Sequence, residues 1–281
     1  MSKIIITADS TCDLSPEQRE QYGILISPLY VRLGEEEYKD GVDIDAKKLF
    51  DYVAAGGALP KTAACSMDDY IALWKPYIDE GYEVVHINIS SEFSSCHQNA
   101  RLAAEELGHA YPVDSRSLST GTGLLALEAA DLAKEGKSGE EIKAILDEKQ
   151  KKLNVSFVLD TMEYLAKGGR CSSMAALAAG LIKLRLGIDV KDGKMGVGKK
   201  YRGKMAPVLK QYVQERLASV GDVELKRIFI THTGVDDETV AALAELIRSL
   251  RPFSEVLTSH AGCTVCSHCG PGTLGILFFE A

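Results

Sequence analysis

Residues 83–107 read Glu-Val-Val-His-Ile-Asn-Ile, then Ser-Ser-Glu-Phe-Ser-Ser-Cys, then His-Gln-Asn-Ala-Arg-Leu-Ala-Ala-Glu-Glu-Leu. Glu83 to Ile89 is an apolar, β-rich run, Ser90 to Ser95 a polar turn, and His97 to Leu107 a helix. Strand, polar loop and helix in that order are the repeating unit of a parallel sheet. The unit recurs on both sides. Ile4-Ile5-Ile6 ends in the small polar loop Asp9 to Asp13, and Ser15-Pro16-Glu17 follows as an N-cap with proline at the first helical position. Tyr111-Pro112-Val113 ends in Asp114-Ser115, and Leu124 to Lys134 is the next helix. Leu25 to Leu33 reads as a strand, Asp45 to Ala55 as a helix stopped by Gly56-Gly57, and Ser66 to Glu80 as another helix. Ser138 to Lys151 is a helix capped by Ser138, with Glu141 three residues on. The alternation predicts an N-terminal α/β/α layer with a mostly parallel sheet. Ligands of such sheets sit beyond the carboxyl ends of the strands. The loops Asp9 to Asp13, Ser90 to Cys96 and Asp114 to Ser119 fall there.

The second half is less regular. Val155 to Leu159, Arg227 to Thr231 and Leu274 to Phe279 read as strands, and Ser172 to Leu184, Ala206 to Ser219 and Asp236 to Leu250 as helices. Asp192-Gly193 between two short runs over Ile188 to Val197 is a hairpin signal. The fold class expected is therefore α/β with two domains, 1–155 and 156–281. The second carries a mixed or antiparallel sheet, and the boundary falls near Leu153 to Ser156.

Composition narrows the function. Forty acids against thirty-two bases give a formal charge of -8 over 281 residues, which argues against a nucleic-acid partner. The 46% hydrophobic content supports a real core, and with 7% aromatic residues and a single tryptophan that core must be mostly aliphatic. No apolar run approaches the roughly 20 residues of a membrane span. The first ten residues are too short and too weakly basic for a signal peptide, so the expected location is cytoplasmic. Seven cysteines in such a chain are expected to stay reduced.

Several enzyme-like motifs fail on context. Gly193 to Lys200 resembles a P-loop, but Lys200 stands where the Mg²⁺-binding hydroxyl belongs, and the segment lies in the expected hairpin. Gly121-Thr-Gly123-Leu-Leu-Ala126 fits a dinucleotide fingerprint without the acidic strand end about 20 residues on. Close helix packing is the better reading. Cys263, Cys266 and Cys269 match the first three ligands of a ferredoxin run, but the fourth position is Thr273. His260 and His268 could complete a zinc set instead, and three small buried thiols are the competing reading. No metal is expected at this cluster. A stand-alone metalloprotein or enzyme using it is the alternative function. No Gly-x-Ser-x-Gly elbow is present.

A series of short motifs in fixed order says more. They are Asp9-Ser10-Thr11-Cys12-Asp13-Leu14, Pro60-Lys61-Thr62, Ile89-Ser90-Ser91-Glu92-Phe93-Ser94, Val113-Asp114-Ser115 with Gly121 and Gly123, Leu165-Ala166-Lys167-Gly168-Gly169-Arg170, Arg202 after the hairpin, and His268-Cys269-Gly270-Pro271-Gly272. In this order they resemble the DegV family, whose better understood members are the fatty-acid-binding subunits of the bacterial fatty acid kinase. The resemblance runs from Ile4 to Phe279. It implies a long-chain fatty acid in a buried tunnel between two α/β domains, with no cofactor and no catalysis by this chain. It places the carboxylate on Thr62, Ser94, Ser95 and Cys96. A separate ATP-dependent kinase subunit would phosphorylate that carboxylate, with Arg170, Arg202 and His268 serving the phosphoryl step or the docking of the partner.

The residues allow this chemistry. A carboxylate leaving water needs replacement hydrogen bonds, and short hydroxyls with helix N-terminal amides behind them provide these. Ser94 could equally be a plain N-cap and Thr62 a polar turn residue. Met174 to Leu186 and Val155 to Leu159 could line the tail. Two loops depart from the family pattern: T-S-Q-P reads Thr62-Ala63-Ala64-Cys65, and S-G-T reads Ser94-Ser95-Cys96.

Overall fold

The computed structural model describes residues 3–171 and 184–281. Its first sheet is wholly parallel, with β1 (Lys3–Asp9), β2 (Ile24–Ser27), β6 (Tyr82–Asn88) and β7 (Ala110–Asp114) in the order β2-β1-β6-β7. Helix α1 (Pro16–Tyr22) joins β1 to β2, and α4 (Cys96–Leu107) joins β6 to β7. The chain leaves β1 toward one edge and β6 toward the other, so the switch point of the sheet lies between the ends of these two strands. That is where open α/β sheets bind ligands.

Between β2 and β6 the chain makes a detour that the sequence reading did not contain. Leu25 to Leu33 is not one strand. Pro28, which lacks an N–H, breaks it into β2 and β3 (Tyr30–Leu33), and the two belong to different sheets. β3 is the centre of a three-stranded antiparallel sheet with β4 (Glu36–Lys39) and β5 (Lys61–Ala63). Helices α2 (Ala46–Ala54) and α3 (Met67–Asp79) flank β5 in the chain. Thr62, expected in a turn, lies on β5 opposite Val31.

The remaining strands form a mixed six-stranded sheet in the order β10-β9-β8-β13-β11-β12. They are β8 (Leu153–Leu159), β9 (Arg185–Lys191), β10 (Lys194–Tyr201), β11 (Val223–His232), β12 (Glu255–His260) and β13 (Leu274–Glu280). Only β11 and β12 pair in parallel. β8 begins at Leu153, so the boundary expected after residue 155 falls inside this strand. β9 and β10 are the hairpin expected around Asp192-Gly193, both of which have positive φ, at 51° and 79°. The P-loop-like run Gly193 to Lys200 is therefore strand, with no helix behind it. The helix expected over Ser172 to Leu184, and most of the lining expected from Met174 to Leu186, lie outside the described residues.

Helix ends follow their sequence signals. Ser15, Ser66 and Ser138 each complete a capping box, with Gln18, Asp69 and Glu141. Helix α5 (Thr120–Lys134) is buried along most of its length, from Thr120 through Leu127 and at Ala129, Ala130 and Leu132. It packs on β1 and β6 of the parallel sheet and on β8, β11 and β13 of the mixed one. Helices α6 (Gly139–Lys149), α8 (Met205–Ser219) and α9 (Asp237–Leu250) cover outer faces, while α7 (Glu163–Gly168) and α10 (Cys263–Cys269) pack on each other.

The Gly121/Gly123 pair serves this packing, not a nucleotide. A Cβ on Gly123 would stand 2.7 Å from the Cys12 carbonyl oxygen, and one on Gly121 2.3 Å from Ser117 Oγ. Gly123→Ala is expected to destabilise the fold. Overpacking against backbone costs about 1–3 kcal/mol and outweighs the roughly 1 kcal/mol that alanine gains in a helix. Denaturant unfolding checks this, and an unchanged or raised midpoint would contradict it.

Candidate functional site

The site is built on the switch point. Asp9, fully buried at the end of β1, gathers donors from three segments. Its carboxylate accepts from the Ile89 amide at 2.9 Å, the Tyr70 hydroxyl at 2.9 Å, the His86 Nε2 at 3.2 Å and the Asn88 side-chain amide at 3.3 Å. His86 Nδ1 and Thr7 Oγ1 share a 2.7 Å hydrogen bond, and the rings of Tyr70, Trp74 and His86 pack on one another. This network fixes where the chain leaves β6 and enters the Ser90 to Ser95 loop.

The loop forms one side of a cavity of about 460 Å³. Its apolar wall includes Leu29, Ile89, Phe93, Leu118, Met195 and Val265. Ser94 faces the cavity and also serves the start of α4, accepting from the Cys96 amide at 3.3 Å and donating to Cys96 Sγ at 3.1 Å. The N-cap of α4 is Ser95, which makes no side-chain cap bond, so Ser94 is not the plain N-cap the alternative reading expected. Ser95 lines the mouth and is exposed.

The opposite side comes from α10, a helix the sequence reading missed because Cys, Thr, Val, Cys, Ser, His and Cys carry no amphipathic helical pattern. Its N-terminus is held from the other half of the chain. Asp40 accepts from the amides of Cys263 at 2.7 Å and Thr264 at 3.0 Å, and Asp13 accepts from that of Gly262 at 2.8 Å. So held, α10 presents His268 to Thr62, and Thr62 Oγ1 lies 2.9 Å from His268 Nε2 across 206 residues of sequence. Burial, aided by the Arg170 guanidinium, lowers the His268 pKa to about 4, so the ring is neutral at pH 7. Thr264 Oγ1 also lines the cavity, and it has no hydrogen-bond partner among the described residues.

The Lys167-Gly168-Gly169-Arg170 run has a steric explanation. A Cβ on Gly168 would stand 2.5 Å from His268 Nδ1, and Gly169 takes the left-handed φ of 70° that ends α7. Arg170 follows at the mouth, exposed, with its Nη1 donating to the Gly168 carbonyl at 2.8 Å. It is the one cation among the described lining residues. The hairpin tip closes another side. Ser90 Oγ donates to the Gly193 carbonyl at 2.9 Å, Arg116 donates to that of Asp192, and Met195 reaches the cavity.

Of the residues singled out from sequence, Thr62, Ser94, Ser95, Arg170 and His268 meet around this cavity. Cys96 does not line it, because its buried sulfur lies behind the wall, near Cys65 and Asp9. Arg202 is exposed beyond β10 and is absent from the described cavity lining. Cys263, Cys266 and Cys269 run along α10 and do not bring three donor atoms together among the described residues. The metalloprotein alternative built on them is therefore not favoured.

The neutral state of His268 gives a pH signature. Its folded pKa of about 4 lies below the ordinary 6.5, so the unfolded chain binds the proton more readily. This contribution to stability is complete above about pH 6.5 and is lost as pH falls toward 4. Asp13, raised to about 8 by burial, acts in the opposite direction, so the comparison must isolate His268. His268→Gln is expected to lose less stability than the parent chain between pH 6.5 and 4. Parallel denaturant melts at both pH values measure this, and equal losses would contradict it.

The family model described as "Uncharacterised protein, DegV family" matches residues 3–281. The chain belongs to the DegV family. A DegV domain-containing protein of Clostridium perfringens is 32% identical, covering 100% of this chain and 99% of its own length. Among solved structures, a fatty-acid-binding DegV protein from Thermus thermophilus superposes with a TM-score of 0.88 at 30% identity, over 99% of this chain and 100% of that one. The Streptococcus pneumoniae Fatty Acid Kinase B3 protein, loaded with linoleic acid, shares the fold with a TM-score of 0.85 at 22% identity, over 99% and 100% of the two chains. The two-domain α/β architecture is thus that of DegV proteins. No helix among the described residues is long and apolar enough to cross a membrane.

Proposed function

We propose that this DegV protein binds a long-chain fatty acid in the cavity, between the parallel-sheet unit and the mixed-sheet unit that begins with β8. It presents the carboxylate to a separate ATP-dependent kinase subunit in the cytoplasm and has no catalysis of its own. One observation carries the reading: the hydroxyls of Thr62 and Ser94 and the neutral ring of His268, which is hydrogen-bonded to Thr62, line one cavity together with Leu29, Ile89, Phe93, Leu118, Met195 and Val265. A carboxylate there replaces its water with these groups and with the N-terminal amides of α4. Ser95 stands at the mouth, and Cys96 acts through Ser94. Each buried CH₂ contributes about 0.8 kcal/mol, so sixteen carbons supply roughly 12 kcal/mol before ordering costs. The Thermus thermophilus relative is described as binding fatty acid. The kinase step follows from the motif resemblance, with Arg170 and His268 at the mouth.

Organic extraction of the purified protein followed by mass spectrometry is expected to return a long-chain acyl species. No acyl species and no uptake of added oleate would overturn the proposal. Ser94→Ala and Thr62→Ala each remove a hydrogen bond to a charged group, at a cost of about 1.5–3 kcal/mol in affinity. Displacement of a fluorescent fatty acid reads the loss, and unchanged affinity in both variants would move the headgroup elsewhere.

A further inference from the structure

We propose that Asp9, Cys65 and Cys96 form a buried site for a thiophilic divalent cation of the zinc class, separate from the fatty-acid cavity. The two sulfurs and a carboxylate oxygen lie within 4.8 Å of one another, and all three residues are fully buried. Zinc binds sulfur at about 2.3 Å and carboxylate oxygen at about 2.0–2.2 Å, so an ion centred among donors at this spacing is within reach of all three. Cys65 follows β5 and Cys96 opens α4. The structure brings the two cysteines together at the end of β1.

The surroundings are those of a ligand set held in place. The Asp9 carboxylate is fixed by the Ile89 amide, Tyr70, His86 and Asn88. Each sulfur also accepts a hydroxyl hydrogen bond, Cys65 from Ser27 at 3.2 Å and Cys96 from Ser94 at 3.1 Å, and the Cys65 thiol donates to the Pro28 carbonyl at 3.3 Å, a contact it gives up when the ion binds. Hydrogen bonds of this kind orient metal ligands. Three protein donors would leave a fourth tetrahedral position open, and the Tyr70 hydroxyl is hydrogen-bonded to the same Asp9 carboxylate at 2.9 Å. Uptake of the ion releases the two thiol protons and transfers no electrons. The ion would tie the end of β1, the segment after β5 and the start of α4 to one point behind the cavity wall.

The test is native mass spectrometry and elemental analysis of the full chain produced in zinc-supplemented medium. The expected result is one zinc per chain, with a mass gain of one zinc less two protons. Cys65→Ser and Cys96→Ser should each lower occupancy by tenfold or more, while Cys263→Ser and Cys269→Ser retain the metal. Far-UV circular dichroism reports whether each variant folds. If either cysteine variant does not fold, Co²⁺ titration of the parent chain decides, through the sulfur-to-cobalt charge-transfer absorption that two thiolates give. A parent chain without zinc, a mass two hydrogens lower without metal, zinc that survives Cys65→Ser, or Co²⁺ without thiolate absorption would each overturn the proposal.

Discussion

Arg170→Ala is expected to keep its fatty acid and to lose phosphorylation by a cognate kinase by roughly 10²–10³-fold, the usual effect of removing one positioned charge-stabilising group. Phosphoryl transfer spreads negative charge over the moving oxygens, and nearby cations offset it. Arg170 is the one cation among the described cavity-lining residues, held at the mouth by the Gly168 carbonyl. His268 is neutral at pH 7 and supplies hydrogen bonds there instead of charge. The acyl tail touches the apolar wall, so binding should change little. Arg202→Ala should show the same separation for another reason. Arg202 is exposed outside the cavity, so under the proposed function its role is contact with the kinase subunit and not fatty-acid affinity. Single-turnover phosphorylation and direct binding, measured side by side, separate these effects. If Arg170→Ala turns over normally, the phosphoryl group is stabilised by the kinase alone. If both arginine variants lose the lipid, the assignment of the mouth is wrong.

Asp9→Ala is expected to be the most destabilising single change in the parallel-sheet half. The substitution strands the Ile89 amide, the Tyr70 hydroxyl, the His86 ring and the Asn88 amide in a site buried from bulk solvent. Each buried donor left unpaired costs about 1–3 kcal/mol. The sum is a large fraction of the roughly 5–15 kcal/mol that holds a domain together. Fatty-acid affinity should fall with stability, because the same carboxylate fixes the start of the Ser90 to Ser95 loop. Thermal unfolding with and without added fatty acid reads both. A variant that melts within a degree of the parent would show that the donors find other partners.

The parts of this molecule governed by local rules could be read from its sequence. The strand-loop-helix rhythm from Glu83 to Leu107 gave the parallel sheet, and serine caps at positions 15 and 138 marked real helix starts. The Asp192-Gly193 turn gave the hairpin. Elements that depend on distant partners escaped. β4 and β5 are short, with charged residues, and exist because β3 pairs with them. α10 is a helix because Asp13 and Asp40 hold its start, 249 and 223 residues away in sequence. Site residues were legible through ordered motifs, which located Thr62, Ser94, Arg170 and His268. Nothing in those motifs reveals that Thr264 faces the cavity, or that Cys65 and Cys96 meet.

The burial of α5 between the two sheets sets how a ligand gets in and out. Parting the sheets would bring Leu124, Leu125 and Leu127 into water, at about 1.5–3 kcal/mol for each side chain. The hairpin tip is held on the Ser90 loop by far less: one serine hydroxyl, the Arg116 guanidinium and an exposed Lys194–Glu92 ion pair at 3.5 Å. Under the proposed function, exchange of the fatty acid is expected to run through the rim while the chassis stays shut. The residence time of a bound lipid is then expected to depend on these rim contacts, and to shorten as ionic strength weakens the charged ones while the fold is left untouched.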